Sequence, residues 1–305
     1  MMGNGTHPTA PDWFLRATGL RLEDGRLVHA EGCYVLDGEV WLSEAMRISA
    51  DQHQTSGAFG HKWQKEDTFA SRENLERVRR WALERYGDFG PILNALGERP
   101  VVLDAGCGAA MTALEYFSSY FDRIRYIGVD VSEAVHVAQK RVAEHGFSGV
   151  FIQDDLTRLP FSPGGMDCIF SEGVLHHTDS TKGALAALVP LLRPGGFFLF
   201  YVYNKKGPIR EFTDDYIREK LQGMPPEDAW ETLRPLTQLG IQLGEIDHEL
   251  DLSAGIPLLD VPAGKVSLQR FVYWHIFKAF YDPVLTFEKM HHINFDWYAP
   301  KNALR

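Results

Sequence analysis

The sequence predicts an α/β protein: a doubly wound, mostly parallel sheet with a small β unit ahead of it and a mainly helical appendage behind. Three observations predict this. Short apolar runs ending in an acid recur through the middle of the chain, in "VVLDAGCG", "YIGVDVS", "GVFIQDD" and "MDCIFSEG". Helically spaced apolar residues fill the intervals, and a helix between two strands returns the chain to make a parallel, right-handed crossover. On either side the pattern changes. Residues 20–42 alternate apolar and polar side chains, and from Asn204 onward helical segments dominate.

Taken in order, the first dozen residues, rich in Gly, Pro and Thr, read as a loose tail. Asp24-Gly25 and Asp37-Gly38 sit between alternating runs, a hairpin signal, so residues 1–50 make a small β unit. "DQHQTSGAFGHKWQKEDTF" has no period and reads as a loop, and 72–86 is an amphipathic helix opened by Ser71. Together, 51–97 form a lid segment. The core, 98–204, runs from the strand at Val101 through helices at about 109–121, 132–144 and 184–192 to a fifth strand in "FFLFYVY". Its apolar runs are too short and too β-branched for helices. The appendage, 205–305, carries helical patterns at about 209–221, 226–243 and 267–281, and offers no convincing pair of strands. The aromatics Phe271, Tyr273, Trp274, Phe277, Phe280 and Tyr281 read as its core or as an interface, which makes a homo-oligomer through this region an expectation.

The chain has 305 residues, 45% of them hydrophobic, enough for one large α/β domain with an appendage or for two modest domains. A formal net charge of −10 argues against a broad basic face for nucleic acid. Three cysteines, at 33, 107 and 168, have neither disulfide nor zinc spacing and suit a reducing compartment. With no leader pattern and no apolar run long enough to span a bilayer, the expected location is cytoplasmic, without membrane association.

The turn after the first core strand carries the most chemistry. Asp104 ends the strand, and Gly106 and Gly108 leave bare backbone where a ligand can approach. A nicotinamide dinucleotide site wants a third glycine, where this chain has Met111. Further acids follow at successive strand ends. Asp130 can accept two ribose hydroxyls, and Asp155 an exocyclic adenine amine. Such an edge suits a neutral ribose, a sulfonium and an amine, and repels phosphate.

These motifs, with "SEGVLHH" and "LVPLLRPGGFFLF", resemble in order and spacing those of the class I S-adenosylmethionine-dependent methyltransferases, across about a hundred residues. The resemblance implies a Rossmann-like core with S-adenosylmethionine as cofactor. Asp104, Gly106 and Gly108 would hold its methionine part, and Asp130 its ribose. Val131 and Leu156 would sandwich the adenine, Asp155 would take its amine, and Ser171 and Glu172 would lie beside the amine and sulfonium. Ala110 stands where the family often has another Gly. The segment around "GRLVHAEGCYVLDGEVWL" resembles small zinc ribbons, but keeps only His29 and Cys33 near ligand positions and is expected to hold no metal. The family's sheet finishes with two further strands that residues 204–305 do not offer, so either the chain is truncated or a partner completes the sheet.

For the reaction, Glu172, His176 and His177 are the candidate catalytic groups. Each histidine is a general base, a substrate-orienting donor or simply a helix-start residue on the sheet. Glu172 is a base, a stabiliser of the cation or a ligand of the cofactor amine. His53, Gln54, Phe59, His61 and Trp63 on the expected loop, with Tyr203, Lys205, Lys206 and Arg210 after the fifth strand, are the substrate-binding candidates. The function implied is methyl transfer to a small-molecule acceptor of secondary metabolism or glycan modification, under a roof formed by the appendage. The alternatives are a non-methylating S-adenosylmethionine-binding subunit with a regulatory or scaffolding role, and a nicotinamide-dependent oxidoreductase.

Overall fold

In the computed structural model, which describes residues 9–63 and 71–299, helix α1 (Asp12–Thr18) starts inside the stretch read as a tail, with Phe14 fully buried. A hairpin follows. Asp24 and Gly25 both have positive φ, 47° and 76°, the turn geometry whose twist matches that of paired strands. Strands β1 (Arg21–Glu23), β2 (Arg26–His29), β3 (Gly32–Asp37) and β4 (Val40–Ser43) form an antiparallel meander.

This meander is not a separate unit. β4 pairs in parallel with β7 (Gly149–Gln153), with Trp41 opposite Ile152. One nine-stranded sheet results, in the order β1-β2-β3-β4-β7-β6-β5-β8-β9. Its other members are β5 (Val101–Ala105), β6 (Arg125–Asp130), β8 (Met166–Glu172) and β9 (Leu192–Tyr201), and from β4 to β9 every neighbour is parallel. The separate β unit expected over residues 1–50 therefore gives way to an extension of the main sheet, although the chain does leave this unit after residue 49. The apolar alternation that suggested a small β unit serves a shared core, in which Phe14, Leu27, Tyr34 and Trp41 pack with Leu103, Ile127, Ile152 and Ile169.

Alternate residues of the central strands serve opposite faces. Leu103 faces that core, while Val102, Tyr126, Phe151 and Phe170 face a second one with Phe89, Phe117 and Val135. Helices supply both: α3 (Arg72–Tyr86), α4 (Phe89–Leu96), α5 (Met111–Tyr116), α6 (Ala134–Glu144) and α7 (Thr181–Leu188). Ser71 caps α3, accepting from the Asn74 backbone N–H at 3.4 Å.

Among the described residues this unit comprises 9–49 and 71–202; residues 50–63 and 203–299 form a second. The second unit corrects two expectations. Residues 50–63 form a helix, α2 (Ala50–Trp63), rather than a loop, and their lack of an apolar stripe is what hid them. Gln52 and Thr55 are buried there, and Gln54 accepts from the Gly223 N–H at 3.2 Å. After Asn204 there is also a strand pair, β10 (Glu249–Leu252) with β11 (Gly264–Ser267), antiparallel and outside the main sheet. The helices after β9 are α8 (Pro208–Leu221), α9 (Pro226–Gly244), α10 (Leu268–His275) and α11 (Phe287–Tyr298). The aromatic segment read as one long helix therefore ends early, at His275. Phe280 is buried and Trp274 is 44% exposed.

Arg210 and Asp214 lie one turn apart on α8, 1% and 0% exposed. The Arg210 Nε donates to both Asp214 oxygens, at 2.9 and 2.8 Å. Asp214 also accepts from Trp297 Nε1 at 2.7 Å and from the Tyr298 hydroxyl at 3.0 Å. Arg210, expected as a substrate-binding residue, is thus held in a buried ion pair within this unit. No helix among the described residues is long and apolar enough to cross a membrane.

Candidate active site

In a parallel sheet, ligands bind beyond the carboxyl ends of the strands. At that edge β5, β6 and β8 present Asp104, Asp130 and Glu172 side by side, because Asp104 is in register with Gly128 on one neighbour and Phe170 on the other.

Asp104 is 3% exposed, and its Oδ2 accepts the Tyr126 hydroxyl at 2.6 Å. Burial pushes its carboxyl up to about 7; the Tyr126 bond pulls down, and the charges of Asp130 and Glu172 push further up. Asp130 accepts from the Gly108 N–H at 2.8 Å, the Ser132 N–H at 2.9 Å and the Ser132 hydroxyl at 2.6 Å. Its pKa is raised by burial and lowered by these bonds. The acid at the strand end therefore also ties down the glycine turn.

Gly106 has φ of 86°, and a Cβ there would lie 2.2 Å from Val174 Cγ1. The bare backbone thus accommodates the loop after β8 as well as any ligand. Gly106→Ala should cost about 2–4 kcal/mol, from overpacking and a left-handed backbone together. Thermal unfolding checks this, and a loss under 1 kcal/mol would show that the loop yields.

The other sequence candidates fall in different surroundings. Ser171 is fully buried and donates to the Ala105 carbonyl at 2.8 Å, tying β8 to β5. Val131 is half-buried, its carbonyl accepting from Gln153 Nε2 at 3.2 Å. Leu156 is 8% exposed and packs in the first core. Asp155 accepts from the Thr157 N–H and hydroxyl, at 2.9 and 2.8 Å. Its neighbour Asp154, which the sequence did not single out, accepts the Tyr34 hydroxyl of β3 at 2.6 Å. His176 and His177 lie in a 3₁₀ turn, 0% and 4% exposed, their rings 4.1 Å apart, and so are buried rather than at an open rim. In the second unit His53 is exposed, Phe59 half-buried, and the Tyr203 ring lies tilted against Trp297, centroids 4.6 Å apart. The side chains of His61 and Trp63 lie outside the described residues.

Glu172 has partners that the sequence did not reveal. Its Oε1 accepts from Arg85, and its Oε2 accepts the Tyr86 hydroxyl at 2.5 Å. Both come from the last turn of α3. Burial raises the Glu172 pKa, while these two contacts lower it. The Arg85 guanidinium lies 4.0 Å from the Tyr201 ring centroid. The only signal in the sequence was that α3 ends in Arg-Tyr, and charges on a helix face ordinarily mean solvent.

Among the described residues no group of three or more His, Cys, Asp or Glu is arranged to hold a metal. Near the resembling ribbon, the Cys33 thiol instead donates to Glu44 at 3.0 Å.

Residues 103–200 match the family model described as "Methyltransferase domain". The malonyl-[acyl-carrier protein] O-methyltransferase of Serratia marcescens is 29% identical over 156 residues, 49% of this chain and 54% of that protein. The fatty-acid O-methyltransferase of Mycolicibacterium smegmatis is 28% identical over 127 residues, 41% of this chain and 44% of that protein. The chain thus spans about half the length of these two curated relatives. Among solved structures, the YcgJ protein from Bacillus subtilis is 28% identical and covers 43% of this chain and 58% of its own, with a TM-score of 0.36. A methyltransferase domain implies a cofactor of the S-adenosylmethionine type. Residues 103–200, which match the methyltransferase-domain model, thus lie in a mostly parallel, Rossmann-like sheet.

Proposed function

We propose that the chain is an S-adenosylmethionine-dependent methyltransferase acting on an oxygen of a small-molecule acceptor. The observation that carries this reading is the state of Asp104. Its carboxyl, 3% exposed, is raised to about 7 by burial, the charges of Asp130 and Glu172 push it further, and among the described residues no cation appears with them. A cationic ligand completes such a site, and the cofactor brings both an ammonium and a sulfonium. Phosphate, by contrast, would meet three carboxyl groups. The two relatives named above are O-methyltransferases of a malonyl and a fatty-acid substrate, which supports oxygen as the acceptor atom.

In this reading the sulfonium supplies an already activated methyl group, and the chain's own residues bind, orient and exclude water. Asp104 faces the cationic part of the cofactor. Asp130, its geometry fixed by Gly108 and Ser132, keeps acceptor capacity for a ribose hydroxyl.

Calorimetry tests it. A charge-assisted hydrogen bond contributes about 1.5–3 kcal/mol, so Asp130→Ala should weaken S-adenosylmethionine binding about ten- to hundredfold. Because Asp104 must lose its proton to meet a cation, wild-type affinity should rise with pH and level off above about 7. Unchanged affinity in a folded Asp130→Ala variant would remove Asp130 from the site. Absence of any binding by the wild type would remove the reading itself.

A further inference from the structure

At the β8–β9 end of the same edge, one guanidinium is held in place and only partly used. Arg85 has five N–H donors. Among the described residues its only hydrogen-bond acceptor is Glu172, while its guanidinium carbon lies over the Tyr201 ring, 4.0 Å from the centroid. Its side chain is 29% exposed. Tyr201 is in register with Glu172, so Arg85 is clamped against the last residues of two adjacent strands. Glu172 is near enough to Asp104 for its charge to raise the Asp104 pKa, so the two acids and Arg85 share one edge.

We infer that the acceptor is an ionised carboxylate and that Arg85 receives it. The inference rests on the methyltransferase reading and goes beyond it to the class of substrate. The groups expected to act as bases are not placed for that work. Both Glu172 oxygens are engaged, one by Arg85 and one by Tyr86, and His176 and His177 are buried in their 3₁₀ turn. A nucleophile that arrives without its proton needs no base, and a carboxylic acid is already ionised at neutral pH. In the transfer, a carboxylate oxygen forms a bond to the methyl carbon as the methyl–sulfur bond breaks. The electron pair of that bond stays on sulfur, which becomes a neutral thioether, and the product is a methyl ester. No proton moves. Arg85 is suited to the recognition step because a planar fork held over a ring meets a carboxylate with two parallel N–H bonds, which a lysine cannot do. Glu172 and Tyr201 are positioning residues that aim it.

The test uses the full chain with S-adenosylhomocysteine present, and octanoate, benzoate and monoethyl malonate as probes, each beside its neutral primary amide. Calorimetry should show at least one acid binding more tightly than its amide. Arg85→Met should weaken that acid about ten- to hundredfold and leave the amide unchanged, and Arg85→Lys should restore only part of the loss. Methyl label from S-adenosylmethionine should enter the acids in preference to matched alcohols and amines. Equal binding of acids and amides, equal weakening of both by Arg85→Met, or label entering amines or alcohols but not acids would overturn the inference while the methyltransferase reading stands. A wild type that binds no S-adenosylhomocysteine would overturn that reading, and this inference with it.

Discussion

Asp104→Asn should make the protein more stable at pH 8 and, on the proposed reading, weaken its binding of S-adenosylmethionine. The folded-state pKa of Asp104 is raised from 3.8 to about 7. Between those values the folded chain binds a proton that the unfolded chain has released, so unfolding stability falls as pH rises from about 4 to about 7 and stays low above. The displacement corresponds to at most about 4 kcal/mol, at 1.36 kcal/mol per pH unit. An asparagine at 104 carries no charge to bury, and its side-chain oxygen can still accept the Tyr126 hydroxyl. Melting at pH 5 and pH 8 should show the wild type losing stability between the two, while the variant does not. Each kcal/mol is worth about 2–4 °C at this size. A variant that is no more stable than wild type at pH 8 would mean that the carboxylate is compensated in the folded chain. That would remove the argument that a ligand must bring the cation.

The second large effect is expected in the other unit. Asp214 receives the Arg210 Nε on both oxygens and the Trp297 and Tyr298 donors besides. Asp214→Ala would leave Arg210 buried without its partner and should cost about 3–5 kcal/mol. Replacing the pair together, as Arg210→Met with Asp214→Leu, should recover much of that loss, because two buried charges also pay desolvation. Urea unfolding followed by tryptophan fluorescence reads both variants, with Trp297 inside the network. A loss below 1 kcal/mol for Asp214→Ala would show that the second unit is held by its apolar contacts, such as Trp230 on Phe295 at 5.0 Å.

How far the sequence could be read depended on whether the cause of each feature was local. β5 announced itself because its apolar run ends in Asp104 and a glycine turn, and α3 because Ser71 caps an amphipathic stretch. The helix at 50–63 did not, since "ADQHQTSGAFGHKW" contains two glycines and no apolar stripe; neighbours in its own unit, not periodicity, hold it helical. The pairing of β4 with β7 was illegible for another reason. Nothing near Trp41 specifies that Ile152 will lie beside it. The same holds in the site. Asp104 and Asp130 are read from strand ends, but the bonds from Arg85 and Tyr86 to Glu172 join positions far apart in the chain. Arg210 shows the converse: a cation just past a strand end looks available in the sequence, and in the structure a carboxylate one turn on pairs with it.

The bond between β4 and β7 bears on the order in which the protein can form. Val40 and Phe151 are partners although roughly a hundred positions separate them, and pairings of that range are slow because the loop must close before any contact rewards it. On the ribosome, at about 5–20 residues per second, the N-terminal meander is made many seconds before the strand it leans on. Until then Leu27, Tyr34 and Trp41, all buried in the finished sheet, have no partners from the central strands. The interval is a window for chaperone capture or for edge-to-edge association of nascent chains. A graft that transplants only residues 103–200 would make that window permanent for the donor's meander and would leave β7 of the transplant with an open edge.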